Sequence, residues 1–108
     1  MIKVNEIQTI DINTLSWWDK PNGNTYIAGE VVVNYNERNE VMLSLPFQYG
    51  CAAHYAAKVK MNQSLGLEIR DMWTFCRDHE ITLRKNGFQS TQAGLKSLVR
   101  ESILRGAI

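Results

Sequence analysis

A chain of 108 residues forms one domain and can bury a modest core without disulfide or metal staples. Hydrophobic residues at 44% and charged residues at 21% exclude global disorder, and no apolar run approaches the ~20 residues that a membrane span needs. The net charge of +1 excludes an acidic nucleic-acid mimic and a strongly basic binder as descriptions of the whole molecule.

The first segment lacks the apolar core and small-residue cleavage site of a secretory signal. With only Cys51 and Cys76, that pattern points to a reducing cytoplasm and free thiols. Ile2 and Val4 alternate with polar residues, and Ile7, Ile10 and Ile12 follow with a slip in period, as a bulge or break near Glu6 would give. Thr14 to Trp18 reads as a second short strand. Lys20-Pro21-Asn22-Gly23 is a turn, with proline presetting φ and glycine closing it, so Ser16–Asp19 and Asn24–Ile27 should pair. Tyr26 to Tyr35 is the clearest strand: Ile27, Val31, Val33 and Tyr35 share one face, Ala28, Glu30 and Val32 the other. A polar turn over 36–39 joins it to Val41–Phe47, giving an antiparallel hairpin in which Pro46 belongs at an edge or end.

Past Gly50 the period changes. Cys51 to Met61 reads as a short helix, and Leu65 or Leu67 to Asp78 as a second, with Ile69, Met72, Trp73 and Cys76 on its apolar stripe. Ile81 to Arg84 is strand-like, and Asn86-Gly87 signals a turn. Ser90 is placed to cap a last helix through Leu104, with Leu95, Leu98, Val99 and Ile103 as its stripe. The pattern predicts an α+β domain: a small, mostly antiparallel sheet of three to five strands with about three helices packed on one face.

The hairpin end gathers the aromatic and amide residues. Adjacent strand residues point to opposite faces, so one of Trp17 and Trp18 can enter the core. The other is left near the turn with Asp19, Lys20, Asn22, Asn24 and Tyr26. An indole beside amides suits a planar ligand or a protein partner, and equally suits packing over an open sheet face.

Trp17, Trp18, Lys20, Gly23, Asn24, Thr25 and Tyr26, followed by Pro46, Phe47, Tyr49 and Gly50, resemble a family of small proteins of tailed bacteriophages and prophages. Trp73 to Leu83 is similar as well, so the resemblance spans roughly residues 14–84, and the last helix departs from it. It implies a viral accessory protein in the host bacterial cytoplasm, without an established activity. The expected function is a non-enzymatic one: binding and inhibiting or redirecting a host protein, a protein–nucleic-acid complex or a small nucleotide, as in counter-defence against an immune complex. Trp17 to Lys20, Asn22, Asn24, Tyr26 and Tyr49 are the candidate binding residues. A homodimer through a sheet edge or the second sheet face is also expected, since small antiparallel sheets leave edges open.

Charge offers an alternative. Residues 81–108 carry Arg84, Lys85, Lys96, Arg100 and Arg105 against Glu101, a net of +4, while the first 80 carry seven bases and ten acids, a net of −3. Those five bases could contact phosphates as a nucleic-acid-binding surface, or form a solvated helix face. Cys51 and His54, and Cys76 and His79, each three apart, could be brought together as a tetrahedral zinc site, but the spacing is not the usual finger arrangement and Cys76 fits the core stripe of its helix, so no metal is expected. No cofactor is expected. Asp71, Asp78, His79 and Glu80 cluster near a helix end without a nucleophile or orienting group, and the glycines are scattered singly rather than in a phosphate loop.

Overall fold

Alternation along the first half of the chain resolves into three long strands in the structure, a computed structural model that describes residues 2–108. A 3-10 turn over Val4–Glu6 leads into β1 (Thr9–Asp19), β2 (Asn24–Val33) and β3 (Val41–Tyr49). Next come α1 (Ala53–Leu65), α2 (Met72–Asp78), β4 (Thr82–Gln89) and α3 (Gln92–Leu104). The four strands form one mixed sheet in the order β3-β2-β1-β4, with β1·β2 and β2·β3 antiparallel and β1·β4 parallel. The α+β class, the small sheet and the three helices are as the sequence predicts. No helix among the described residues is long and apolar enough to cross a membrane.

The core lies between one sheet face and α1 and α2. Ile10, Ile12, Val31, Val33, Leu43 and Leu45 from the sheet meet Ala57, Met61 and Met72 from the helices, all nearly sealed from solvent. The third helix departs from the one-face expectation. It packs on the opposite face, where Leu95 is fully buried and Ser102 donates to Glu30 of β2 at 3.1 Å. The first face is already filled by α1 and α2, and Ala28 and Val32 on the second would otherwise lie open. Ser102, rather than Ile103, completes the inward stripe, and Ile103 is exposed.

Local signals were overridden in four other places. Thr14 to Trp18 is not a separate strand but the continuation of β1, because β2 pairs with it without a break from Ile10↔Val33 to Asp19↔Asn24. Asn86-Gly87 is not a turn: β4 runs straight through it, paired with Asn13 and Thr14, and the Asn86 amide donates to Asn13 Oδ1 at 3.0 Å. The helix expected from Leu65 or Leu67 begins only at Met72. Gly66 stops α1 in the left-handed region (φ 64°), and the Asn62 side chain holds Ile69 through both its N–H and its C=O. Asp71 then starts α2 by accepting from Thr74 N–H at 2.9 Å. Thr91, not Ser90, caps α3, accepting from Gly94 N–H at 3.1 Å.

Candidate functional site

The β1–β2 hairpin forms in the register the turn chemistry demands, with Trp17 opposite Tyr26 and Tyr26 opposite Tyr49. Asp19 C=O accepts from Gly23 N–H at 2.7 Å, Asn22 donates its side-chain amide to Asp19 at 2.8 Å, and Gly23 takes φ 68°. Asp19 and Asn22 are therefore engaged in the turn itself. Lys20 is exposed at its tip and Asn24 opens β2, half-buried.

Neither tryptophan enters the core. Trp17 lies half-buried on the face that α3 occupies, where its ring stacks on Tyr26 with centroids 5.5 Å apart. Tyr26 stacks in turn on Phe47 at 5.1 Å and meets Tyr49 edge-on at 5.7 Å. Lys96, from the first turns of α3, places its ammonium 5.5 Å from the Phe47 centroid. Trp18 points to the other face and is 59% exposed. The core expectation failed because the core packed under α1 and α2 takes Ile10 and Ile12 from β1 and stops short of Trp18.

The result is an aromatic cluster of Trp17, Tyr26, Phe47 and Tyr49 at one end of the sheet, beyond the start of α3. Tyr49 is 71% exposed, and neither the Tyr26 nor the Tyr49 hydroxyl bonds to another described residue. Beside it lies a depression of about 440 Å³ lined by Ser16, Trp17, Trp18, Thr25, Gln89 and Ser90. Apolar rings with unbonded hydroxyl tips are suited to a partner that is flat and partly polar. Phe47 was absent from the sequence-derived site. Its signal was present in the spacing, since Phe47 and Tyr49 share a strand face, but the register shift between Ile27 and Gly29 hid which β2 residue they meet.

The five basic residues do not form one surface. Arg84 donates through Nε and Nη2 to Asp11 at 2.6 and 2.9 Å, and Arg105 reaches Glu30 at 3.2 Å. Lys96 lies over Phe47, Arg100 is exposed on α3, and Lys85 is on the opposite sheet face, level with Ile12. Around the two arginine pairs runs a groove of about 410 Å³, which Asn13, Asn86, Tyr35, Val32 and Met42 also line. Both of its buried carboxylates already have cationic partners.

The cysteine and histidine pairs remain apart in chemistry. Cys51 is exposed, whereas Cys76 is buried and desolvation pushes its thiol up to about 11. His54 stacks on Trp73 at 4.6 Å, and burial, then Lys85, hold it below the usual histidine value against the opposing pull of Asp71. His79 ends α2 with its ring against Phe75 at 4.8 Å. Among the described residues no three His, Cys, Asp or Glu side chains are grouped to hold a metal ion. Neither a protein-family model, nor a curated protein, nor a solved structure matches the chain.

Proposed function

We propose that this chain is a non-enzymatic binding protein whose partner sits on the hairpin-end aromatic surface. One observation supports it above others: Trp17, Tyr26, Phe47 and Tyr49 are brought from three strands into one cluster, with the Tyr49 ring 71% exposed at its rim. Aromatic anchors with polar tips supply most of the binding energy at protein and ligand interfaces. Together with the resemblance to phage proteins, this favours an accessory protein of viral origin that acts in the host bacterial cytoplasm. It would occupy and so inhibit or redirect a host protein, a protein–nucleic-acid complex or a small nucleotide.

The test is affinity capture from bacterial lysate, with retained proteins and small molecules both identified. It is run with the parent, with Tyr49→Ala plus Trp17→Ala, and with Glu68→Ala as a remote control. A species kept by the parent and the control but lost from the double variant supports the surface. Equal retention by all three removes it. A gel-shift salt series runs alongside: tight nucleic-acid binding that weakens steeply with salt, and that Tyr49→Ala leaves intact, would move the function to Lys85, Lys96 and Arg100.

A further inference from the structure

The two edges of the sheet are treated differently. At the β3 edge, Pro46 lacks a donor, the register shifts between Ile27 and Gly29, and Ile108 N–H reaches in to donate to Met42 C=O at 2.9 Å. Those devices blunt an edge. The β4 edge has none of them. Every residue of β4 except Leu83 is exposed, and its eight residues extend about 26 Å.

Which groups face outward follows from two hydrogen bonds. Thr82 N–H donates to Gln8 C=O at 3.0 Å, and Ser90 N–H donates to Ser16 C=O at 2.7 Å. Along a strand, main-chain groups alternate sides, so Thr82, Arg84, Asn86 and Phe88 face β1. Leu83, Lys85, Gly87 and Gln89 turn both N–H and C=O away from the molecule.

We infer that this edge pairs with the β4 edge of a second copy, antiparallel about a two-fold axis at Asn86. The occupant is a second copy because β4 is complementary to itself in one register only. With Asn86 opposite Asn86 of the second copy, Leu83 meets Gln89 and Lys85 meets Gly87. Every outward N–H and C=O on both strands is then paired. Centring on Lys85 or on Gly87 instead leaves outward groups at one strand end unpaired, and centring on Lys85 sets two lysines directly opposite.

Two sequence features fit this register. Gly87 interrupts a strand, and a Cβ built there would meet only Thr14 Oγ1, at an ordinary 3.5 Å, so close packing within the chain does not require glycine. Opposite Lys85 of a second copy, a residue without a side chain leaves room for the lysine stem. Phe88, 69% exposed, comes to lie opposite Arg84 of the second copy, whose guanidinium Asp11 already holds in place. The pairing joins two four-stranded sheets into one and leaves the aromatic cluster at the outer strands open, so it stands independently of the function proposed for that cluster.

Disulfide trapping reads the register. In a Cys51→Ser background, Asn86→Cys sits in a non-hydrogen-bonded pair with Cα atoms about 4.5 Å apart, inside the disulfide range. Phe88→Cys is displaced from its counterpart by about 13 Å along the strand and cannot bridge. The expected result is a covalent dimer on mild oxidation for Asn86→Cys and none for Phe88→Cys. Light scattering of the parent at micromolar concentration should give twice 12.4 kDa. Gly87→Pro removes an outward donor without touching the bonds to β1, so it should weaken the dimer by about tenfold or more with an unchanged circular dichroism spectrum. A parent mass of one chain, bridging at position 88 as readily as at 86, or an undiminished Gly87→Pro dimer each overturns the pairing.

Discussion

Replacing Asn34 by alanine should cost several times what a change at an uninvolved surface side chain costs. Asn34 follows the last residue of β2 in the left-handed region at φ 56° and is almost fully buried. Its Oδ1 accepts from Gln8 N–H at 2.7 Å and Thr9 N–H at 3.3 Å, and its Nδ2 donates to Glu6 C=O at 2.8 Å. One side chain thus ties the 3-10 turn and the entry to β1 onto the end of β2. Alanine leaves three main-chain groups without that partner. At about 0.5–1.5 kcal/mol for each net bond, and more wherever water cannot replace it, the loss sums to roughly 2–4 kcal/mol. For a domain of this size, about 3 kcal/mol lowers the melting temperature by on the order of 10–20 °C. Asn34→Gly loses the same bonds but accepts positive φ at less cost, so it should fall between alanine and the parent. Urea unfolding with the m-value held constant measures both. An alanine variant within about 0.5 kcal/mol of the parent, the usual range for an uninvolved surface site, would refute the claim that this side chain fastens the two segments.

Gly29→Ala should prevent stable folding or cost well over about 3 kcal/mol, because a Cβ there would lie 2.0 Å from Asn13 C=O, a main-chain atom that cannot swing aside; circular dichroism of the expressed variant decides it. A thiol reagent at neutral pH should label Cys51 alone in the folded protein, with Cys76 reacting only on unfolding; two equivalents from native protein would contradict the burial. The folded Cys76 value of about 11 lies above the ordinary 9.0, so its contribution to stability is complete below pH 9.0 and is lost as pH rises toward about 11. Cys76→Ala should flatten that alkaline loss, and an unchanged slope would assign it elsewhere. Arg84→Leu should destabilise by leaving the Asp11 carboxylate buried without its partner, while Asp11→Leu with Arg84→Leu should recover much of the loss; a double variant worse than the single would overturn the reasoning.

The fold was legible where side chains alternate on a hairpin whose turn is specified locally. Lys20-Pro21-Asn22-Gly23 set the β1–β2 register, and Ile27, Val31 and Val33 marked the core face. It was obscured wherever a distant partner outweighed local preference. Asn86-Gly87 has strong turn chemistry, yet lying level with Asn13 and Thr14 in a parallel ladder keeps it extended. The segment Leu67–Asp71 keeps a helical apolar spacing, yet it stays irregular, with Ile69 held by the Asn62 side chain, until Asp71 caps α2. At the candidate surface, Trp17, Tyr26 and Tyr49 were visible as hairpin neighbours. Phe47 was not, because a shift of register within the β2–β3 pairing cannot be read from alternation. Nor was the burial of the two tryptophans, which depends on which helix covers each sheet face at the last rungs of β1.

The charge asymmetry of the chain has an internal explanation. Asp11 and Glu30 lie nearly buried on the sheet face that α3 covers, on two strands from the acidic first part of the sequence. Arg84 and Arg105 come from the basic last part, on β4 and at the end of α3, and each ends on one of those carboxylates. Two of the five C-terminal bases are therefore neutralised within the chain, which leaves Lys96, Arg100 and, on the far face, Lys85 for any phosphate. The pairs also specify register. Arg84 lies level with Asp11 in the parallel ladder, and a slip of one residue would turn Arg84 to the core face and leave Asp11 buried alone. Arg105 and Ser102 fix α3 on the second face in the same way, through Glu30. Buried ion pairs of this kind add little net stability over apolar contacts, but they make the alternatives costly. Two of the five bases in the last quarter of the chain thus select where β4 and α3 dock, at the end of the sheet away from the aromatic cluster.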